Sequence, residues 1–186
     1  YVMNIPNSLT LLRIALIPCF VVVFYLEFAW APLAAAIVFS IAAITDWLDG
    51  YLARRLGQTS KLGAFLDPVA DKLMVAVVLV ILLQADPKIW LAIPIAVIIG
   101  REIAVSALRE WMAELGVRGK VAVSVIGKVK TFAQMAAIIL LILSHAELFV
   151  VLTKPGYCLL YVAAALTLWS MVRYLKLAWP ELTERA

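Results

Sequence analysis

Long apolar runs separated by short polar breaks fill almost the whole chain. Six of them are long enough to cross a bilayer as helices, at about residues 9–26, 32–52, 65–83, 89–108, 121–143 and 157–175. A helix of about 20 apolar residues covers a hydrocarbon core of about 30 Å. The runs are continuous, whereas the strands of a membrane barrel alternate apolar and polar residues over about ten positions. Lipid offers no partner to backbone N–H and C=O groups, so a helix, which pairs them internally, is the remaining solution. The pattern predicts an all-α, polytopic membrane protein with six transmembrane helices. The breaks leave no room for a soluble domain, and no internal repeat or low-complexity linker is visible, so 1–186 is expected to form one compact membrane domain. The first run carries Arg13 within it and is followed by Glu27 and Trp30, not by a small-residue cleavage site. It is therefore expected to remain as a span and not to act as a cleavable signal peptide.

Composition agrees with this picture: 66% of residues are hydrophobic and 15% charged, against roughly half and a quarter in soluble domains. The formal net charge is +4, and its placement says more than its size. Arg54, Arg55 and Lys61 follow the second run, Arg109, Arg118 and Lys120 the fourth, and Arg173, Lys176 and Arg185 close the chain. The other side carries Lys88 and Lys154 beside Glu27, Asp86 and Glu147. Basic residues collect on the cytoplasmic side of membrane proteins, which puts both termini in the cytoplasm. Cations at membrane boundaries attract anionic lipid, so no nucleic-acid partner is expected. Cys19 and Cys158 lie in or beside apolar runs without metal-ligand spacing and are expected to be small buried hydrophobes. His145 is the only histidine and falls in a loop, which makes histidine-based chemistry an unpromising reading. Trp30, Trp90 and Trp179 stand near run ends, as interfacial anchors do, and Trp47 is expected to serve packing.

Against this background the stretch DWLDGYLARRLGQTSKLGAFLDPVADK, 46–72, stands out. Asp46 and Asp49 are three residues apart and share a helix face, which Gly50 and Ala53 extend. Small residues there let another helix or a ligand approach closely. Gly63, Asp67 and Asp71 are spaced by four and share a face of the next helix. A short loop, 56–62, joins the two helices as an antiparallel pair, so four carboxylates can converge at their cytoplasmic ends. One explanation is structural, with the acids paired to Arg54, Arg55, Lys61 and Lys72 at the membrane boundary. An Asp at mid-span, however, costs about 2.5–3.5 kcal/mol on insertion scales. Four mutually repelling acids call for cations between them. Hard divalent ions take oxygen ligands, and Mg²⁺ is commonly held by a few carboxylates together with substrate phosphate. Two such ions can clamp a phosphoryl group, one carboxylate can take the proton of an incoming hydroxyl, and Arg54, one turn beyond Asp49 and Gly50, is placed to meet phosphate.

The same residues resemble the signature of the CDP-alcohol phosphotransferases, D-x2-D-G-x2-A-R-x8-G-x3-D-x3-D. Asp46, Asp49, Gly50, Ala53, Arg54, Gly63, Asp67 and Asp71 fill it without departure. The resemblance implies a six-span helical domain, usually a homodimer, that moves a phosphatidyl or similar group from a CDP-linked donor to an alcohol and releases CMP. It implies a requirement for Mg²⁺ or Mn²⁺, with two ions held by Asp46, Asp49, Asp67 and Asp71, and Asp71 as general base. It further implies a nucleotide site for CDP-diacylglycerol at Gly50, Ala53, Arg54 and Gly63.

Three further stretches, NIPNSLTLLRI at 4–14, GREIAVSALREWMAELG at 100–116 and GKVKT at 127–131, resemble the bacterial branch whose acceptor is sn-glycerol 3-phosphate. This extends the likeness over nearly the whole chain and implies the bacterial inner membrane, with the active site on the cytoplasmic side. That acceptor is a dianion and needs cations, for which Arg101, Arg109, Arg118, Lys128 and Lys130 are the candidates. Positive-inside topology explains Arg109, Arg118 and Lys128 equally well. Arg101 and Glu102 lie about two turns or more inside the fourth run, where a charge needs a partner. Arg101 is weighed toward phosphate binding or an ion pair with an aspartate, and Glu102 toward structure. Asn7, Thr10 and Arg13 form a polar stripe spaced by three, in which Asn7 can cap the helix, Arg13 can snorkel to the interface, and a place near the nucleotide is a weaker alternative. Other acceptors stay open within the family: inositol phosphate, serine or phosphatidylglycerol. A cation transporter is the reading from another class, but its carboxylates belong at the midplane among paired broken helices, which this sequence does not display.

Overall fold

The computed structural model describes residues 5–57, 61–114, 116 and 125–184. They form six α-helices: α1 (Ile5–Phe24), α2 (Ala31–Leu56), α3 (Lys61–Ala85), α4 (Ile89–Glu114), α5 (Val125–Leu143) and α6 (Thr153–Glu184). A 3₁₀ segment, Glu147–Leu152, leads into α6, and no strand occurs among the described residues. The helix ends follow local chemistry. Pro32 stands in the first turn of α2, where a missing N–H leaves no bond unmade. Gly57 ends α2 with φ +62°, a left-handed conformation that glycine adopts without strain. At the end of α5 a ring nitrogen of His145 lies 2.8 Å from the carbonyl of Leu141, and the ring packs edge-on against Phe24, so the one histidine serves the fold.

Four stretches, Asn7–Phe24, Ala31–Leu52, Ile89–Glu114 and Glu147–Pro180, are long and apolar enough to cross a membrane. Only 17–33% of their residues are buried, so most of their apolar side chains face outward. A soluble protein cannot present that much apolar surface to water, whereas lipid is its natural solvent. Trp30, Trp90 and Trp179 are exposed, as the anchor reading expects. Trp47 departs from expectation: it stacks on Tyr51 but is 68% exposed, because its neighbours on α2 turn the buried face elsewhere. Cys19 and Cys158 are likewise exposed on the outer faces of α1 and α6, not buried.

The chain forms two compact units. The first comprises the residues up to Ala85 together with Ile138–Lys154. Here α1 packs against both α2 and α3. Its inward face is Thr10, Arg13 and Phe20, and that of α2 is Ala31, Ala35, Phe39, Ala42 and Asp49. Both sets are spaced by three, four or seven residues, so each lies along one side of its helix. The alanines let the α1 backbone come close enough for the short Thr10 side chain to reach its partners. The second unit comprises Asp86–Ala137 and Pro155–Ala186. Tyr157 of α6 donates to Asp86 at 2.7 Å and Tyr161 to the Trp90 carbonyl at 2.6 Å, tying the start of α6 to that of α4. At the far end Met112, Tyr174 and Ala178 form a small buried cluster with Leu108 against it.

Candidate active site

In the first unit, the polar face of α1 meets the acidic faces of α2 and α3. Asp49 is 1% exposed, and one of its oxygens, Oδ2, accepts from the Thr10 hydroxyl at 2.8 Å and lies 3.4 Å from Arg13 Nη2. Arg13 is itself 1% exposed and places Nη1 2.7 Å from Asp46 Oδ1. The Thr10 hydroxyl also reaches Asp67 Oδ1 at 2.5 Å. Three of the four aspartates are thus gathered around two side chains of α1. Asp46 and Asp49 thus find partners on α1, away from the cations that flank them in sequence. Arg55 instead donates to the Tyr51 hydroxyl at 2.9 Å, one turn back on its own helix. Arg13 does not snorkel: an arginine this deep in an apolar run finds carboxylates faster than it finds water.

Asp71 follows Asp67 by one turn on α3 and is half-buried. Gly50 is half-buried and Gly63 buried. Ala53 and Arg54 continue the α2 helix, but their side chains, like residue 118, lie outside the described residues.

The donor set suits a hard cation. The other oxygen of Asp49, Oδ1, is buried without a hydrogen-bond donor, and such an orphan acceptor calls for an explanation. A hydroxyl has one hydrogen, so Thr10 can serve only one of its two carboxylates at a time. As the side chains stand, no group of three or more His, Cys, Asp or Glu residues is drawn closely enough around one point to surround an ion, among the described residues. Thr10 and Arg13 occupy the space between the acids.

The acceptor-site candidates fall in the second unit. Glu102 Oε1 lies 2.8 Å from Arg101 Nη1 and 3.0 Å from Lys130 Nζ, and Arg101 Nη2 donates to Ser170 at 3.1 Å. Arg101 and Lys130 are therefore brought together, by an acid read from sequence as structural. The ion pair weighed for Arg101 is made with its chain neighbour Glu102. Arg101 Nε, Gln134 Oε1 and Thr167 Oγ1 are buried there without partners. Arg109 is exposed, with its guanidinium 5.8 Å from the Tyr174 ring, and Lys128 is exposed on α5.

A family model described as CDP-alcohol phosphatidyltransferase matches residues 3–169, most of the chain. The chain belongs to this family. Three relatives carry the name CDP-diacylglycerol–glycerol-3-phosphate 3-phosphatidyltransferase. That of Pseudomonas fluorescens is 57% identical over 97% of this chain and 92% of its own length. Those of Salmonella paratyphi A and Yersinia pestis are 56% and 55% identical, each over 98% of both chains. Of the family signature, Asp46 and Asp49 of α2 and Asp67 of α3 meet Thr10 and Arg13 of α1. Thr10 and Arg13 were underweighted from sequence. The available signal was their spacing, and an arginine within an apolar run ahead of a run of acids.

Proposed function

We propose that the chain transfers the phosphatidyl group of CDP-diacylglycerol to sn-glycerol 3-phosphate, giving phosphatidylglycerophosphate and CMP. The observation that carries this reading is the complete acidic signature, with Asp46, Asp49 and Asp67 gathered at the start of α1. The names of relatives more than half identical over nearly their full length support the choice of acceptor.

In this reading Asp46, Asp49, Asp67 and Asp71 would hold Mg²⁺ or Mn²⁺, two ions per site. Bound there, the ions supply Lewis-acid stabilisation of charge on the phosphoryl oxygens. Gly50 and Gly63 leave room for the nucleotide, and Ala53 and Arg54 contact its diphosphate, Arg54 through charge-assisted hydrogen bonds. The acceptor's phosphate is met by cations among Arg101, Arg109, Arg118, Lys128 and Lys130. Its primary hydroxyl gives up a proton to Asp71 as the oxygen attacks the phosphorus of the phosphatidyl group. The bond from that phosphorus to the CMP oxygen breaks, and CMP leaves.

The architecture that fits this chemistry has α3 and α5 spanning as well, six crossings in all. It works as a homodimer in the bacterial inner membrane, with both termini and the site on the cytoplasmic side. There the lipid donor arrives sideways and the acceptor from water. The test is CMP release by the detergent-solubilised protein from CDP-diacylglycerol, with glycerol 3-phosphate, inositol phosphate, serine or phosphatidylglycerol as acceptor, with and without Mg²⁺. Mg²⁺-dependent release with glycerol 3-phosphate alone is expected. Release with another alcohol moves the acceptor assignment, and no release removes the reading.

A further inference from the structure

The acids of α2 and α3 do not meet one another directly; they meet α1. Arg13 brings one positive charge to a group with three carboxylates. A purely structural ion pair inside a span would be matched charge for charge, because each unmatched charge is expensive there. Here the guanidinium is enclosed with its Nε unpartnered, while Asp49 Oδ1 has no donor. Thr10 completes the arrangement: its hydroxyl touches one acid from each helix, Asp49 of α2 and Asp67 of α3.

We propose that Arg13 and Thr10 are positioning residues, a fixed cation and a hydroxyl clasp that set the spacing of the α2 and α3 carboxylates before substrate arrives. This rests on the metal-site reading above. Arg13 spans Asp46 and Asp49 along α2, and Thr10 spans Asp49 and Asp67 across the two helices. Between them they contact three carboxylates, the Thr10 hydroxyl donating to one of its two at a time, and neither side chain needs to touch substrate. Removing Arg13 leaves like charges facing each other at short range. Removing the Thr10 hydroxyl leaves α2 and α3 free to separate at this point.

The test has two arms. In EDTA, thermal unfolding in detergent is followed for wild type, Arg13→Lys, Arg13→Gln, Asp49→Asn and the double variant Arg13→Gln/Asp49→Asn. Arg13→Gln is expected to lower Tm by roughly 5 °C or more, with Arg13→Lys between it and wild type. The double variant should recover at least half of the loss, because the repulsion goes with the second charge. If Arg13→Gln alone does not accumulate and the double variant does, the same conclusion holds. Losses that simply add overturn the role of Arg13. In the second arm, Thr10→Val should raise the Mg²⁺ concentration for half-maximal rate by roughly tenfold with little change in KM for glycerol 3-phosphate, and Thr10→Ser should restore it. A Thr10→Val change confined to stability, with the Mg²⁺ response unmoved, overturns the clasp. A wild type without any Mg²⁺ response removes the metal reading instead, and the EDTA comparison still decides Arg13.

Discussion

Asp49 is the most enclosed of the four signature acids, and its neighbours decide how a substitution there behaves. Asp46→Asn and Asp67→Asn keep shape and lose charge at half-exposed positions, so each should remove most turnover while the protein stays folded. Asp71→Asn should lower kcat by about 10²–10⁴ if it takes the acceptor's proton. Asp49→Asn should do both kinds of damage, because it also takes a partner from buried Arg13, and breaking a buried pair costs about 3–5 kcal/mol. Steady-state rates over a Mg²⁺ series, read beside thermal unfolding, separate the two effects; near-normal turnover at low Mg²⁺ would strike that residue from the ligand set. The acids themselves were legible because helix periodicity dictates which of them share a face. Their partners were not. Arg13 lies thirty-three residues from Asp46, and no local spacing rule reports which helix a buried guanidinium will reach. For the same reason an aspartate was weighed as a partner for Arg101, beside a phosphate role, and the ion pair it makes is with Glu102.

On the scale of helices, α1 is a carrier for two polar side chains, and its closeness to α2 is what lets them work. Ala35 is fully buried on the α2 face where α1 packs. Ala35→Leu should wedge that contact, with overpacking worth about 1–3 kcal/mol. A drop in Tm together with a weaker Mg²⁺ response is expected, whereas Ile44→Leu, at an exposed position of the same helix, should leave both alone. Unchanged activity in Ala35→Leu would mean that α1 need not sit closely. Element positions were readable from the apolar runs to within a few residues: the first five helices each overlap a predicted span, and the last extends well past both ends of its own. That extension was hidden because charged and polar residues, Lys154 before the run and Lys176 and Glu181 after it, break the apolar pattern at both ends. Facing was harder than position. Cys19, Cys158 and Trp47 were expected inside and lie outside, since in a membrane protein apolar character no longer distinguishes inward from outward.

At the scale of the molecule, Lys128 and its fellow cations have two possible jobs, and kinetics separates them from topology. If they meet the acceptor's phosphate, Lys128→Ala or Arg118→Ala raises KM for glycerol 3-phosphate well beyond any change for CDP-diacylglycerol. Equal effects on both substrates leave them as topological charges, and the phosphate then falls to Arg101 or Lys130. Topology has its own measurement. Basic residues toward the C-terminal ends of α2, α4 and α6 outnumber those at the opposite helix ends, and on the positive-inside rule the proposed orientation has Arg55 inside and Lys88 outside. In a background where Cys19 and Cys158 are serine, Lys88→Cys should react with a membrane-impermeant maleimide in intact spheroplasts. Arg55→Cys should react only after the membrane is opened. Arg55 is exposed in the last turn of α2 and Lys88 is exposed just ahead of α4, so each thiol is open to reagent on its own side. The reverse labelling pattern would invert the chain, place the acidic face of α2 and α3 away from the cytoplasm, and separate it from the water-soluble acceptor on which the proposed reaction depends.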